Sequence, residues 1–153
     1  TSHWRWFEAT YYDDSLIWGV TRESVYDVGM KNGIERQYSS GELFREAHYS
    51  DNEIIGTEIL YYPPGVVYAK AQWKDGEAKN ATWYYQDGKV KTTKDYKKYP
   101  LTKVTDYHEN GKVKAKYTVM GDEEIIDGEY LTFDTKGKLI QKSKFDKGTE
   151  VKK

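Results

Sequence analysis

Three histidines and one run of acidic residues are the side chains of this sequence that could do chemistry. The spacing of His3, His48 and His108 gathers no set of metal ligands from one strand. We expect His48 and His108 to be solvated side chains on a polar face. The acidic run at residues 122–124 lacks the alternating oxygen spacing of a calcium loop, which indicates an exposed loop. With no nucleophile elbow, phosphate-binding loop or dinucleotide fingerprint, we predict no catalytic residue, metal site or cofactor.

The elements that would position any site are set by five glycines. Gly41, Gly65, Gly88, Gly111 and Gly137 are separated by 24, 23, 23 and 26 residues, and each ends a short polar turn. An aliphatic residue follows each glycine two positions later, and in four of the five units an aromatic residue lies six positions beyond it. Such a period is typical of a repeat protein, which usually acts by presenting a surface rather than by enclosing a reaction.

Between the turns, the sequence alternates in the manner of β-strands. One aliphatic, two small or flexible residues and one ring take every second position after the glycine, as in Val67, Ala69, Ala71 and Trp73. The positions between them are polar. Each unit is therefore a hairpin with a return turn, its glycine in the left-handed position of a three- to four-residue loop with a bulge. We predict an all-β fold, an extended antiparallel meander of successive hairpin repeats in a single twisted sheet.

We predict one repeat domain over residues 1–153. Residues 1–33 form a degenerate N-terminal capping unit, in which residues 12–15 take the place of a glycine turn. Residues 34–148 make about five hairpin repeats of 23–26 residues, and residues 149–153 are a tail. The return turns vary more, and residues 97–100 replace a glycine with a proline connection. Variable loops on one edge are where repeat proteins usually place recognition.

Charge and composition narrow the class of partner. The formal net charge of −1 gives no overall pull toward nucleic acid, so we predict no nucleic-acid partner. Residues 1–76 carry 7 basic and 12 acidic side chains, whereas residues 77–153 carry 17 and 13. This asymmetry is either the ordinary drift of solvated sheet faces or a sign of head-to-tail association or of a bipolar partner.

The sequence gives only weak indications of the protein's compartment and of membrane association. The chain has no cysteine, and no apolar run approaches the ~20 residues that span a bilayer, so we predict no transmembrane segment. It begins Thr1-Ser2-His3, which fits a removed signal or lipoprotein leader or a trimmed chain. We favour an exported or cell-envelope protein over a cytoplasmic one.

The segments YQDGKVKTTKDY, HENGKVKAKY and DTKGKLIQKSKFDKG resemble the bacterial MORN-repeat variant, the unit of YwqK-type proteins often labelled antitoxins. The resemblance covers about residues 30–148. It implies an extended antiparallel β-meander and binding of a partner. The connection at residues 97–100 and an insertion around residues 120–127 depart from the pattern.

We therefore predict a non-catalytic β-repeat module that mediates protein–protein interaction through its polar sheet face or its return-turn edge. One version, suggested by the resemblance, is an antitoxin- or immunity-like partner, and another is a part of a cell-envelope assembly. The chain itself could be a monomer or an edge-paired oligomer. The candidate binding residues are Tyr68, Lys70, Gln72, Lys91, Lys114, Lys116 and Lys142.

The surplus of aromatic residues supports an alternative. The chain has 15 Tyr and 5 Trp, and ladders of these rings at repeat spacing could stack on the sugar rings of a glycan or a cell-wall polymer. The competing interpretation is that the rings are the sheet's own core, because they recur in phase with the aliphatic residues.

Overall fold

The structure is a computed structural model that describes residues 3–12, 17–27 and 29–151, with side chains from residue 22 onward except residue 28. These residues form strands and turns, and none of them lies in a helix that could span a membrane. The strands are β1 (His3–Tyr12), β2 (Ile17–Asp27), β3 (Met30–Ser39), β4 (Glu42–Ser50), β5 (Glu53–Tyr62), β6 (Val66–Lys74), β7 (Glu77–Tyr84), β8 (Val90–Lys98), β9 (Leu101–Tyr107), β10 (Val113–Met120), β11 (Ile125–Phe133), β12 (Leu139–Asp146) and β13 (Thr149–Glu150).

The chain divides into two compact units, residues 1–78 and 79–153. In the first unit, β1 to β6 follow one another in chain order, each antiparallel to the next. Strands β7 to β13 do the same; the first two residues of β7 belong to the first unit and the rest of these strands to the second. This hairpin meander confirms the predicted all-β fold class. That the whole chain acts as one repeat domain stays a prediction.

The hairpin turns of the second unit are three-residue loops that end in glycine. In the β9–β10 turn, the His108 N–H donates to the Lys112 carbonyl at 2.8 Å, and the Gly111 N–H donates to the His108 carbonyl at 2.8 Å. Gly111 has a φ of +83°, and the strand pairing shifts register just after the turn. A left-handed residue beside a bulge is the geometry of a three-residue hairpin.

The turn at Gly41 is shorter than predicted. Ser39 pairs directly with Glu42, which leaves a two-residue loop in which Ser40 and Gly41 have φ values of +50° and +78°. Positive φ at both central residues is characteristic of a type I′ turn, whose twist matches that of the flanking strands.

The return turns also use positive φ at two consecutive residues. This holds for residues 51–52, 75–76 and 147–148, with φ values between +45° and +86°. Two of them bond to the neighbouring hairpin, since the Asn52 N–H donates to the Lys31 carbonyl at 3.0 Å and the Gly148 N–H to the Ile126 carbonyl at 2.9 Å. Adjacent hairpins are thus tied together at the return-turn edge as well as along their strands.

Each unit has two chemically different faces, which the strand register identifies because directly opposed residues share a face. We call the face that carries the buried alanines the closed face; it includes Ala47 and Ala69 in the first unit, and Ala81 and Ala115 in the second. The opposite face is the open face. Alanine is buried here because the larger side chains around it cover it, while the rings themselves are only half-buried.

Strands are also described near both ends of the sequence. Strands β1 and β2 form a long hairpin that pairs from His3 with Asp27 to Tyr12 with Ile17. The turn predicted at residues 12–15 lies mostly outside the described residues. At the other end, β13 pairs with the last two residues of β12, and residues 152–153 lie outside the described part.

Candidate functional site

A buried carboxylate lies at the centre of the closed face in the first unit. Glu35 is 1% exposed. Its carboxylate accepts hydrogen bonds from Ser24 Oγ at 2.9 Å and Gln37 Nε2 at 3.1 Å, and it pairs with Lys31 and with Arg45 Nη1, the latter at 3.1 Å. A buried charge is tolerable only when it is paired and hydrogen-bonded, and Glu35 is both.

The same network continues across the next strands. Arg45 Nε binds Glu58 at 2.6 Å, and Trp73 Nε1 donates to the other oxygen of Glu58 at 2.8 Å. Burial raises the pKa of Glu35, but hydrogen bonds from Lys31 and Ser24 outweigh it, and the pKa of this carboxyl lies below its usual 4.5. Charges that are compensated on every side form a structural network from β2 to β6, and they offer no reactive group.

The closed face of the second unit carries a row of rings. The centroids of Tyr117 and Tyr130 are 5.2 Å apart, and those of Tyr130 and Phe145 are 6.0 Å apart. Burial raises the pKa of Tyr117 far above its usual value of 10, and the negative charge of Asp106 raises it further. Asp106 also accepts a hydrogen bond from Thr92 Oγ1 at 2.8 Å. Tyr117 therefore stays protonated at physiological pH, as a ring in a ladder rather than as a base.

His48 and His108 are not the solvated side chains that the sequence predicted. His108 is half-buried, and its Nε2 lies 2.9 Å from the carbonyl of Phe133, the last residue of β11 before the next hairpin turn. His48 is half-buried too, with Nδ1 3.3 Å from the carbonyl of Thr57. Both rings satisfy backbone groups of a neighbouring strand or turn, which explains their burial. The side chain of His3 lies outside the described residues.

A shallow groove of about 440 Å³ runs along the hairpin turns of the second unit. Three of its six lining side chains, Tyr85, His108 and Asn110, already bond to backbone carbonyls. Tyr85 donates its hydroxyl to the Tyr107 carbonyl at 2.8 Å, and Asn110 Nδ2 donates to the Thr135 carbonyl at 2.7 Å. The groove therefore lies where neighbouring hairpin turns pack against one another. Its lining residues are Tyr85, His108, Glu109, Asn110, Lys114 and Thr135.

The open face of the second unit is rich in lysine. One unbroken row of cross-strand partners runs through Thr93, Thr105, Lys116, Leu131 and Lys142 on β8 to β12. Neighbouring rows on this face add further lysines. Beside the β8–β9 turn, exposed Lys98 lies opposite Leu101 on this face. We call the five other exposed lysines together the lysine face, and they are Lys91, Lys103, Lys116, Lys142 and Lys144.

Four acidic residues of this face offset part of its charge, and they are Asp95, Asp127, Glu129 and Asp146. Glu129 pairs with Lys142 at 2.6 Å, and the hydrogen bond from Lys142 lowers the pKa of Glu129. Asp95 accepts a hydrogen bond from the backbone N–H of Lys97 at 3.0 Å. Exposed pairs of this kind contribute little to stability, so the lysines are available for other contacts. The lysine face therefore keeps an excess of positive charge.

The predicted binding residues fall into both units. In the first, Tyr68 is half-buried and stacks on Tyr62 with centroids 4.6 Å apart. Lys70 lies opposite Ile59, and Gln72 is exposed and exchanges side-chain hydrogen bonds with Thr57 at 2.9 and 3.1 Å. These three residues form a smaller, mixed surface whose polar amide is already satisfied.

In the second unit, the structure brings three of the four predicted residues together. Lys91, Lys116 and Lys142 lie on the lysine face, whereas Lys114 is beside the bulge of β10 and lines the groove. The sequence reasoning missed Lys103 as a binding candidate. Its strand begins after a proline connection, so there was no turn glycine from which to count its position.

The acidic run at residues 122–124 is exposed, as predicted. Asp122 accepts a hydrogen bond from the Tyr99 hydroxyl at 2.9 Å, and Glu124 pairs with Lys94. Among the residues that the structure describes, no group of three His, Asp or Glu side chains could hold a metal ion.

Comparison with known proteins identifies the repeat. The family described as MORN repeat variant matches residues 79–98, 102–119 and 126–147, so the second half of the chain carries three repeats of this kind. No curated protein matches. A similar solved chain is in the crystal structure of accessory secretory protein 1, 2 and 3 in Streptococcus pneumoniae, with a TM-score of 0.40 and 16% identity over 64% of this chain and 18% of that chain. MORN repeats are in general interaction modules for proteins or membranes.

Proposed function

We propose that this chain, whose second half carries three repeats of the MORN variant, is a non-catalytic module that binds another protein. The contact surface in this proposal is the lysine face. A sheet face built from side chains of five consecutive strands is broad and shallow, which suits a protein partner better than a small molecule.

The observation that supports this proposal most is the contrast between the faces. On the closed faces, the ionisable groups named above are tied into hydrogen bonds and ion pairs, as Glu35 and Arg45 are. On the open face of the second unit, the five lysines of the lysine face and Lys98 are exposed, and they oppose four carboxylates, those of Asp95, Asp127, Glu129 and Asp146. An excess of one charge steers an oppositely charged partner and fixes its orientation. We infer that the partner contributes an acidic surface.

The test begins with affinity capture from the source organism, followed by binding of the purified, identified partner to the whole chain by calorimetry. The double variant Lys116→Glu, Lys142→Glu should bind at least tenfold more weakly. Its matched control is Lys136→Glu, Lys147→Glu, which makes the same change in net charge at exposed lysines in two turns.

The two double variants separate the possible results. Equal weakening by both would mean that net charge alone matters, and it would remove the lysine face from the proposal. Turnover of any substrate with a rate sensitive to His48 or His108 would overturn the non-catalytic assignment.

The aromatic row of the second unit supports one other candidate function, the binding of a glycan or cell-wall polymer. Tyr117, Tyr130 and Phe145 are half-buried, so part of each ring faces solvent on the closed face. Exposed rings stack on the apolar faces of sugars. Tryptophan fluorescence titrated with peptidoglycan and a panel of polysaccharides tests this candidate, and an unchanged signal across the panel would remove it.

The finer versions of the protein-binding proposal differ in their partner. A neutralised toxin would make the chain antitoxin-like, and an envelope protein would make it an accessory of a cell-surface assembly. Identifying the captured partner by mass spectrometry decides between them.

A further inference from the structure

The first unit has an acidic edge at its return turns. Four exposed acidic side chains flank the two turns that follow β4 and β6. Lys74 is an exposed base beside them. We call these four residues the acidic edge, and they are Asp51, Glu53, Asp75 and Glu77.

The acidic edge has a fixed spacing because the two turns lie two strands apart. Strand β4 pairs with β5 and β5 with β6, so the turns that end β4 and β6 lie at the same edge. Neighbouring strands are about 4.8 Å apart, which separates the two acidic turns by roughly 10 Å. That distance is close to the Debye length at physiological ionic strength, so the two turns act as one negative patch.

The lysine face repeats at the same interval. Lys91, Lys116 and Lys142 lie on β8, β10 and β12, each two strands beyond the last. The same strand spacing places Lys116 and Lys142, which lie in one cross-strand row, roughly 10 Å apart. Lys91 is two residues along β8 from Thr93 in that row. Positive and negative groups with a common interval can pair more than once in a single contact.

We propose that the lysine face of one copy binds the acidic edge of a second copy. The inference rests on the proposed function, because it uses the lysine face as a binding surface, and it names a partner for that surface. A second copy fits because every chain carries both surfaces. Two lysine faces, by contrast, would repel each other.

This contact joins different surfaces of the two copies, so it is heterologous. A heterologous contact leaves one lysine face and one acidic edge unused at the ends of each assembly. Further copies can therefore add, unless the copies close into a ring. Exposed ion pairs are individually weak and are screened by salt. The association is therefore expected at low ionic strength and lost at high ionic strength.

The experiment uses two full-length charge-reversal variants and sedimentation velocity at about 10 mM salt, where the Debye length is about 30 Å. The lysine variant is Lys116→Glu, Lys142→Glu. The acid variant is Glu53→Lys, Asp75→Lys; lysine is acceptable at position 75 because Lys147 has a similar positive φ at the corresponding place in its turn. Circular dichroism verifies that both variants fold.

Wild-type protein should associate at about 10 mM salt and dissociate at about 1 M. Each variant alone should remain monomeric, and an equimolar mixture of the two should associate again, because the untouched surfaces then meet. A monomeric wild type, or a mixture that stays monomeric, would overturn the inference. Neither result affects the captured-partner experiment, so the failure of self-association is distinguishable from the failure of the proposed function.

Discussion

At the scale of single residues, Glu35 shows how a one-layer sheet handles a buried charge. Its carboxylate is surrounded by donors from three strands, Ser24 on β2, Lys31 and Gln37 on β3, and Arg45 on β4. If the charge of Glu35 were removed, Lys31 and Arg45 would lose an ion pair, and the hydrogen bonds from the neutral donors would weaken. Substitution of Glu35 should therefore lower the stability of the first unit.

Replacing Glu35 with glutamine keeps the size of the side chain and removes its charge. We expect Glu35→Gln to lower the free energy of unfolding by about 2 to 4 kcal/mol, because Lys31 and Arg45 lose a buried partner. Urea unfolding followed by circular dichroism measures this. Glu53→Gln, at an exposed position, is the control and should change stability by no more than about 0.5 kcal/mol. Equal effects of the two substitutions would contradict the assigned role.

The pKa of Glu35 also predicts a dependence of stability on pH. This pKa is lower in the folded chain than the usual 4.5, so the unfolded chain binds the proton first as pH falls. The contribution of Glu35 is fully present above pH 4.5 and is lost as pH falls through the folded pKa. Urea unfolding at a series of acidic pH values should give a shallower decline for Glu35→Gln than for wild type. Parallel curves would contradict this prediction.

At the scale of the elements, hairpins of the second unit are hydrogen-bonded to their neighbours by a side chain at a repeated position. We call each of these hydrogen bonds a staple. Tyr85 and His108 each lie three residues before their turn glycine, Gly88 and Gly111. Each side chain bonds to the carbonyl of the last strand residue before the next hairpin turn, Tyr107 at 2.8 Å and Phe133 at 2.9 Å. The same position thus serves the same role with different chemistry, a phenol in one repeat and an imidazole in the next.

Removing one staple should cost a single hydrogen bond. We expect Tyr85→Phe to destabilise the protein by about 0.5 to 1.5 kcal/mol, since the ring remains and only the hydroxyl donor is lost. Thermal or urea unfolding measures the change. The matched control is Tyr99→Phe, because Tyr99 is 62% exposed and its hydroxyl can exchange Asp122 for water. A larger loss at Tyr99 would refute the staple.

The turn glycine itself is needed for its backbone conformation rather than for space. A Cβ at Gly111 would meet no atom within 4 Å, but φ there is +83°. We expect Gly111→Ala to cost about 1 to 2 kcal/mol and Gly111→Asn to cost less, because asparagine tolerates the left-handed region. Denaturant unfolding of both variants provides the comparison, and equal stability of Gly111→Ala and wild type would contradict it.

At the scale of the whole molecule, each hairpin depends on its neighbours. The buried residues of the closed faces are mostly alanine and valine, which the side chains of adjacent strands cover. An isolated two-stranded hairpin is marginally stable at best in water. No single repeat therefore contains a core of its own.

A peptide of residues 79–98, one matched repeat, should accordingly be unfolded. We expect its far-ultraviolet circular dichroism to show no strand signal and no cooperative thermal transition, whereas the full chain should show both. Cooperative unfolding of the peptide would contradict the dependence on neighbours.

The sequence by itself determined where the turns lie and which residues alternate toward each face. Both are local properties, because left-handed φ values favour glycine and successive strand residues point to opposite sides. That is why the period of Gly88, Gly111 and Gly137 predicted the hairpin meander. The same alternation placed Lys91, Lys116 and Lys142 on a polar face.

Only the tertiary structure decided what meets across strands. The partners of Glu35 on other strands, the carbonyl that His108 contacts and the position of Lys103 beside Asp95 all depend on register. Register is set by loop length and by bulges, and one inserted residue reverses every face beyond it. The repeat can therefore be recognised from the sequence, whereas the charged surfaces can be identified only from the pairing of the strands.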